Sequence, residues 1–589
     1  MSNQHSIPDG IDLRRQLPRE TILSGYTNNG LALGQCYKNS HNLSEATFSI
    51  PPSLQRRHIA HLAHSGEGKT TTAQVASLHN ALVTGGLDFV VDPKGGYAKE
   101  FLPMWYHATG SLNDVTIIDG ATALPRVPLF DLRPYLDHPE LDISRQRLIE
   151  IVVDGAIGVF EAASFDSEGF REATQSIELL HSVLFALFHS GIDHFSIEDL
   201  LGELNRIAEG TFSVGVSDTR FQQLLDRTAA DSPKMRNALA NGAIRRLSPI
   251  VRSSLTADAF GTPPTDPANQ FDFYDALNSD EVIILDLGGL NSFRRELLAR
   301  VIISRFFVAG RLRQRSTQQD HPLANLYLDE AHTFGDSTIL LDLLSEGRAF
   351  DISLYLMSQL LSQFGDEAQA HISGNIGTLI VGQSDALASQ AALDHRYSKI
   401  DAKRITSTIP IGDWLVRTRA PRDEQPFDPF VVGATPLPKG HPDSEYSIRS
   451  QEKASCDAAI RSMYERSTNR PDVVTDIEST TTKGMSDSEI VRGLRHTLWT
   501  TSLPDGIEYD DQTDTVRCSD SSETFPPTFD GVCDAARSCY RDKSLDEIDL
   551  PVVDIGLNVD TWAVKTAPVT LRQLMFLRLI EKAQRRAID

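Results

Sequence analysis

Apolar and polar positions along residues 56–130 follow two periods in turn. HIAHLA (58–63), LDFVVD (87–92) and VTIID (115–119) are short, near-continuous apolar runs. That is the pattern of strands buried on both faces of a parallel sheet. Between the first two, TTAQVASLHNALV repeats its apolar residues at helical spacing and predicts a helix over 69–84. From about 134 to 270 the pattern changes. ISRQRLIEIVVDGAIGVFEAA, FREATQSIELLHSVLFALFHSG and SIEDLLGELNRIAEG are long helical segments with no strand run of comparable strength among them. Strand signals return with VIILDL (282–287), NLYLDEAH (325–332), SLYLM (353–357) and TLIVG (378–382), alternating with helices such as 293–314. Two halves of one α/β sheet are thus expected on either side of a helical subdomain.

The flanks are different. GYTNNGLALGQCY and ATFSIP read as short strands of a small β element leading into the core. Beyond 436, PLPKGHPDSEY reads as a linker, and 469–487 is polar with the composition of a flexible segment. A helix near 486–500, a hairpin around YDDQTDTVRC and helices near 529–541 follow. VTLRQLMFLRLIEKAQRRAI closes the chain as an amphipathic helix whose apolar stripe packs on its own domain. The expected division is 1–50, a β-containing segment; 51–133, the first half of the α/β core; 134–272, the inserted all-α subdomain; 273–435, the second half; 436–485, the linker; and 486–589, a small mixed domain. No internal repeat is present.

Composition narrows the class. At 589 residues the chain exceeds what one hydrophobic core supports. Its apolar runs are strand-length, well short of a membrane span, and the start MSNQHSIPDGIDLRRQ lacks the apolar stretch of a signal peptide. A cytoplasmic protein is expected. Cys36, Cys456, Cys518, Cys533 and Cys539 form no CxxC pair, which argues against a structural zinc site. The net charge of −24 argues against indiscriminate nucleic-acid binding but leaves room for a locally basic channel. The scarcity of Lys beside frequent Asp and Arg fits either a salt-rich cytoplasm or a GC-rich genome.

The chemistry is concentrated in AHSGEGKT, which lies between the strand 58–63 and the helix 69–84. This is the setting of a phosphate-binding loop. Ala63, His64, Ser65, Gly66, Glu67, Gly68, Lys69, Thr70 and Thr71 form the expected nucleotide cradle. Gly66 and Gly68 let backbone N–H groups turn inward. Lys69 reaches the β and γ phosphates of ATP, the Thr70 hydroxyl ligates Mg²⁺, and the helix adds the positive end of its dipole. Ala63 stands where the motif usually has Gly, a position that needs only a small residue.

LYLDEAH (326–332) is a strand ending in two carboxylates. On the same sheet, Asp329 would hold the Mg²⁺ hydration shell and Glu330 would activate water as general base. The letters DEAH coincide with a helicase box, but no second motor core follows, so they are read as a shared carboxylate pair. Gln359, directly after SLYLM, would sit at the end of a strand between those carrying the loop and the carboxylates, facing the γ-phosphate. Arg348, in SEGRAFDIS, follows a helix expected over 336–347 and is an arginine-finger candidate for a neighbouring subunit. Asp92-Pro93-Lys94-Gly95-Gly96 follows the second strand and is expected near the nucleotide.

The order RHIAHLAHSGEGKTT, VVDPKGG, helical insertion, LYLDEAHTF, EGRAFDISLYLMSQLLSQF and a final strand resembles the VirD4/TraD-type coupling proteins and their HerA/FtsK-like relatives, over roughly residues 25–435. The resemblance implies a RecA-like P-loop NTPase with a mostly parallel central sheet, an inserted all-α subdomain, and assembly into a hexameric ring that threads DNA at the expense of ATP. It carries the phosphate-loop pair onto Lys69 and Thr70, the carboxylate pair onto Asp329 and Glu330, the arginine finger onto Arg348, and the third motif onto Gln359. Membrane coupling proteins usually begin with transmembrane helices, and the segment seen here has none, which points to a soluble relative. A relaxase, nuclease or secretion-channel partner would be chosen through residues 440–589. Arg245–Arg246 with Arg252, Arg294–Arg295, and Arg311, Arg313 and Arg315 are the basic clusters considered for DNA. Rival readings are an ATPase driving protein secretion or filament assembly, and a nucleotide-gated scaffold in a defence complex.

Overall fold

The computed structural model describes residues 30–475 apart from 39–40, 137, 164–173, 212–225, 227, 229–231, 252, 319, 336 and 420–427; further on it describes 507–510, 515–518 and 524–525. The chain divides into two units, 1–476 and 477–589. The first is built on one sheet. Its strands are β1 (Leu31–Tyr37), β2 (Leu43–Ile50), β3 (Ile59–Leu62), β4 (Asp88–Asp92), β5 (Val115–Asp119), β7 (Val282–Asp286), β8 (Ala324–Leu328), β9 (Ile352–Ser358), β10 (Thr378–Val381), β11 (Trp414–Thr418) and β12 (Phe430–Gly433). Their spatial order is β2-β1-β12-β11-β10-β3-β9-β8-β4-β7-β5. From β10 to β5 all neighbours are parallel; from β10 back to β2 all are antiparallel.

Both faces of the parallel part are covered. Phe89 and Val91 point to one face and Val90 to the other. The two-residue period of a strand, with apolar partners on both sides, is why these segments read as continuous apolar runs. On one face, α1 (Lys69–Val83) and α2 (Tyr97–Thr109) bury Ala73, Ala76, Phe101, Met104 and Trp105 against Tyr327, Tyr355 and Met357. Full burial of each such aromatic or branched side chain contributes about 1.5–3 kcal/mol.

The other face carries the helices between β6 (Ala123–Pro125) and β7: α3 (Arg145–Ala163), α4 (Thr174–His189), α5 (Ile197–Glu209) and α6 (Pro233–Val251). α7 (Ser292–Arg313) and α8 (Thr338–Glu346) lie on this face too. Phe160, Leu184, Leu204 and Leu247 from the inserted helices belong to the same buried cluster as Phe306 of α7 and Leu326 of β8. The inserted helices therefore share their core with the sheet.

Three features differ from the sequence reading. β1 and β2 form no separate element; they extend the main sheet, with Gln35 opposite Gly433. β11 and β12, which join them to β10, are additional strands. Within 436–485, read as linker, lie α9 (Ser450–Thr468), which buries Cys456 and packs Met463 into the apolar cluster on the α2 face, and β13 (Val473–Thr475), paired with β6. In the second unit, β14 (Ile507–Asp510), β15 (Thr515–Cys518) and β16 (Thr524–Phe525) form an antiparallel sheet, with a hairpin where YDDQTDTVRC predicts one. The helices expected near 486–500, 529–541 and at the chain end lie outside the described residues. Among the described residues no helix is long and apolar enough to cross a membrane.

Candidate functional site

Because β3, β9, β8 and β4 are parallel neighbours, their carboxyl ends meet along one edge. Leu62 stands opposite Ser358, and Leu356 opposite Leu328. The segment after β3 therefore leaves the sheet two strands, roughly 10 Å, from the segment after β8. β9 lies between them and ends at Ser358, which puts Gln359 in the gap.

The loop Ala63–Gly68 passes directly into α1. Gly66 has φ 84° and Gly68 φ 93°, conformations that disfavour a side chain, and a Cβ on Gly66 would meet nothing within 4 Å. Lys69, only 7% exposed, donates through Nζ to the carbonyl oxygens of Ala63 at 2.5 Å and His64 at 3.0 Å. His64, Ser65 and Gly66 are exposed and Thr70 and Thr71 partly exposed, whereas Ala63 and Glu67 are buried. Burial lowers the Lys69 ammonium below the usual lysine range; Asp329 and Glu330 oppose this and Lys94 adds to it. A cavity of about 290 Å³ opens beside the loop between Gly66, Gly68 and Thr72 on one side and Ile411, Thr435 and His441 on the other.

Asp329 is buried, and its Oδ1 accepts from the Glu330 N–H at 2.9 Å. Burial raises its carboxyl to about 6, with Lys94 opposing and Glu330 adding to the rise. Glu330 itself sits at φ 48°, ψ 43°, a left-handed conformation costing about 1–3 kcal/mol for a non-glycine residue. That turn aims its side chain into the gap between β8 and β3. There Lys94 Nζ donates to Oε1, Gln359 Nε2 stands 3.4 Å from the same oxygen, and His332 Nδ1 lies 3.5 Å from Oε2. Burial pushes Glu330 up, but Lys94, Gln359 and His332 outweigh it and hold the carboxyl below its usual range.

Lys94 comes from the loop after β4. Asp92 fixes that loop by accepting from the backbone N–H of Lys94 at 2.9 Å and of Tyr97 at 2.7 Å. At its turn a Cβ on Gly95 would lie 2.8 Å from Gly288 Cα, so only glycine permits the approach.

The fold thus brings together Lys69, Asp329, Glu330, Gln359 and the loop from Ala63 to Thr71. Arg348 is elsewhere. It is exposed in the short turn Gly347–Phe350 that precedes β9, at the amino end of the strand whose carboxyl end carries Gln359. Of the basic clusters, Arg313 is a core residue: it is buried and donates to the carbonyl oxygens of Leu277 and Phe350. Arg311 is paired with Asp154 and lies 5.0 Å over the Phe307 ring. Arg245, Arg294 and Arg315 are exposed, and Arg252 lies outside the described residues.

Sequence reasoning did not pick out His332 and Ser358, whose side chains meet at 3.0 Å beside Glu330. The histidine is the last letter of the DEAH run, the one signal available. It also passed over Trp414, buried beneath the loop with ring atom Cζ2 3.9 Å from the place a Cβ on Gly68 would occupy.

The residues fit a magnesium–triphosphate group. The Lys69 ammonium is met by two neutral carbonyls, the space at Gly66 is open, and Asp329 is a buried carboxylate whose charge a divalent cation would stabilise.

No family model and no curated protein matches the chain. Similar solved structures are the bacterial conjugative coupling protein TrwBΔN70 with sulphate (13% identity, TM-score 0.44, 67% of this chain and 89% of that one) and VirB4 of Thermoanaerobacter pseudethanolicus (12%, TM-score 0.43, 72% and 98%). TrwB in complex with ADP and Mg²⁺ is similar at 13% identity and TM-score 0.43, over 67% and 89%.

Proposed function

We propose that this chain is a P-loop ATPase of the RecA-like type that assembles as a ring, with hexamer the expected state, and moves DNA. One observation carries the reading. Segments far apart in sequence, Gly66–Thr70 and Asp329–Glu330, converge at the carboxyl edge of one parallel sheet with Gln359 between them. Lys69 neutralises charge on the β and γ phosphates. Thr70 and Asp329 would hold Mg²⁺, directly or through its waters, and the ion, when bound, would neutralise charge on the phosphate oxygens. Glu330 accepts the proton of the attacking water, and Gln359 fixes the direction of that carboxylate.

Arg348, exposed at the opposite end of β9, acts only across a subunit boundary, on the nucleotide held by a neighbour. Hydrolysis then depends on assembly. DNA is the cargo implied by the resemblance to coupling proteins. A ring concentrates exposed arginines such as Arg245 and Arg294 into a channel despite the acidic exterior.

The test is the ATPase rate of the full chain with and without single- and double-stranded DNA, with mass measured under the same conditions at high and moderate salt. Turnover that DNA stimulates in an oligomer is the expected result. Turnover indifferent to DNA transfers the motor to protein secretion or filament assembly. Absence of turnover despite nucleotide binding leaves a nucleotide-gated scaffold.

A further inference from the structure

We propose that Lys94 is the triphosphate sensor of this site: it grips the Glu330 carboxylate and exchanges it for the terminal phosphate when a nucleoside triphosphate binds. The inference rests on the nucleotide reading above and adds a second cation to it.

Three observations support the exchange. The first is the ion pair itself, Lys94 Nζ to Glu330 Oε1. Its partner is the carboxylate assigned to water activation, and a carboxylate engaged by an ammonium and an amide has a spent lone pair where a water proton would go. The second is freedom to move. The Lys94 side chain is 55% exposed while Glu330 is 12% exposed. The loop that carries Lys94 is fixed by Asp92 through backbone N–H groups and by the Gly95–Gly288 approach, so the ammonium swings without disturbing the backbone. The third is position. Through Glu330, Lys94 stands beside Gln359 at the carboxyl edge of the sheet, the same edge on which the loop carrying Lys69 leaves β3.

Lysine suits such a role, being a point charge on a flexible stem with three donors. A terminal phosphate carries more charge than a carboxylate and presents more acceptor oxygens, so it competes for the ammonium; ADP offers no such group at that place. With Lys94 drawn away, Glu330 keeps Gln359 and His332 as neighbours and regains a free lone pair. Water activation is thereby tied to the presence of the phosphate to be cleaved.

The experiment measures equilibrium binding of ADP and of a non-hydrolysable ATP analogue, both with Mg²⁺, to the full-length parent, Lys94→Met, Lys94→Arg, Glu330→Gln and the Lys94→Met/Glu330→Gln double variant. Lys94→Met is expected to weaken the analogue about tenfold relative to ADP, and Lys94→Arg to restore most of that preference. Glu330→Gln, which frees Lys94 from its partner, is expected to tighten the analogue about fivefold when Lys94 is present and not when it is Met. An unchanged analogue-to-ADP ratio in Lys94→Met, or an equal effect of Glu330→Gln in both backgrounds, overturns the sensor. A parent chain that binds neither nucleotide overturns the nucleotide reading and the sensor with it.

Discussion

Gln359 Nε2 stands 3.4 Å from Glu330 Oε1, an approach made possible because β9 is the strand inserted between the phosphate-loop strand and the carboxylate strand. The Gln359 backbone is tied down as well, its carbonyl accepting from Ser384 Oγ at 2.8 Å. On the proposed reading, a glutamine so anchored would set the direction of the carboxylate rather than the affinity for nucleotide. Gln359→Ala is therefore expected to lower kcat by about 10²-fold with little change in nucleotide Kd, whereas Glu330→Gln lowers kcat by about 10³-fold or more. Steady-state turnover alongside equilibrium nucleotide binding checks both, and a variant that loses binding in proportion to rate contradicts the assignment.

Lys69 is held by loop carbonyls and lies within electrostatic reach of both carboxylates. Lys69→Ala should eliminate detectable hydrolysis, and chelation of Mg²⁺ should do the same to the parent chain. Undiminished ATPase in Lys69→Ala would place the active centre elsewhere.

Arg348 sits where it cannot serve its own loop, at the amino end of β9. If it completes a neighbour's site, Arg348→Ala should reduce turnover by about 10³-fold in the assembled protein. Mixing Arg348→Ala with Lys69→Ala subunits should then restore part of the rate, because some interfaces pair an intact loop with an intact arginine. Two inactive variants that stay inactive on mixing, under conditions where mass measurement shows mixed oligomers, would exclude a role in trans.

Asp88, the first residue of β4, is fully buried and accepts from Ser77 Oγ and Asn80 Nδ2 of α1 and from Asn325 Nδ2 and Tyr327 Oη of β8. Burial raises its carboxyl to about 7, those four donors pulling against the rise. A carboxyl near 3.9 in the unfolded chain and higher in the folded one favours folding at low pH, and that contribution is lost as pH climbs through the folded value. From pH 4 to 8 the loss is at most about 4 kcal/mol. Asp88→Asn removes the titration, so its deficit in melting temperature relative to the parent should shrink from pH 4.5 to pH 8. A pH-independent difference would show that Asp88 does not titrate in this range.

The parallel half of the sheet was readable because its strands are apolar on both faces and alternate with helices. β11 was not, since Trp414–Thr418 carries Arg417 and depends for its pairing on β10 and β12 rather than on a pattern of its own. α9 escaped for a similar reason. It buries Cys456 and Met463 and half-buries Ala459 and Ile460, a narrow stripe of four apolar residues in an otherwise polar segment. In the site, the loop lysine and the carboxylate pair follow from residue type and spacing. The meeting of Lys94 with Glu330 does not, because it depends on β4 lying beside β8, a neighbour relation that chain order leaves open. The same holds for Arg313, which its basic run makes a candidate for DNA contact but whose guanidinium ties α7 to the turn before β9.

The pairing of Gln35 and Cys36 with Val432 and Gly433 has a temporal meaning. β1 emerges from the ribosome long before β12, the strand that covers one of its borders, has been synthesised. β1 and β2 must wait, unpaired at one border, while roughly four hundred residues follow at about 5–20 per second. The nascent protein is thus exposed for tens of seconds with an open strand edge, and β12 acts as the clasp that ends the wait.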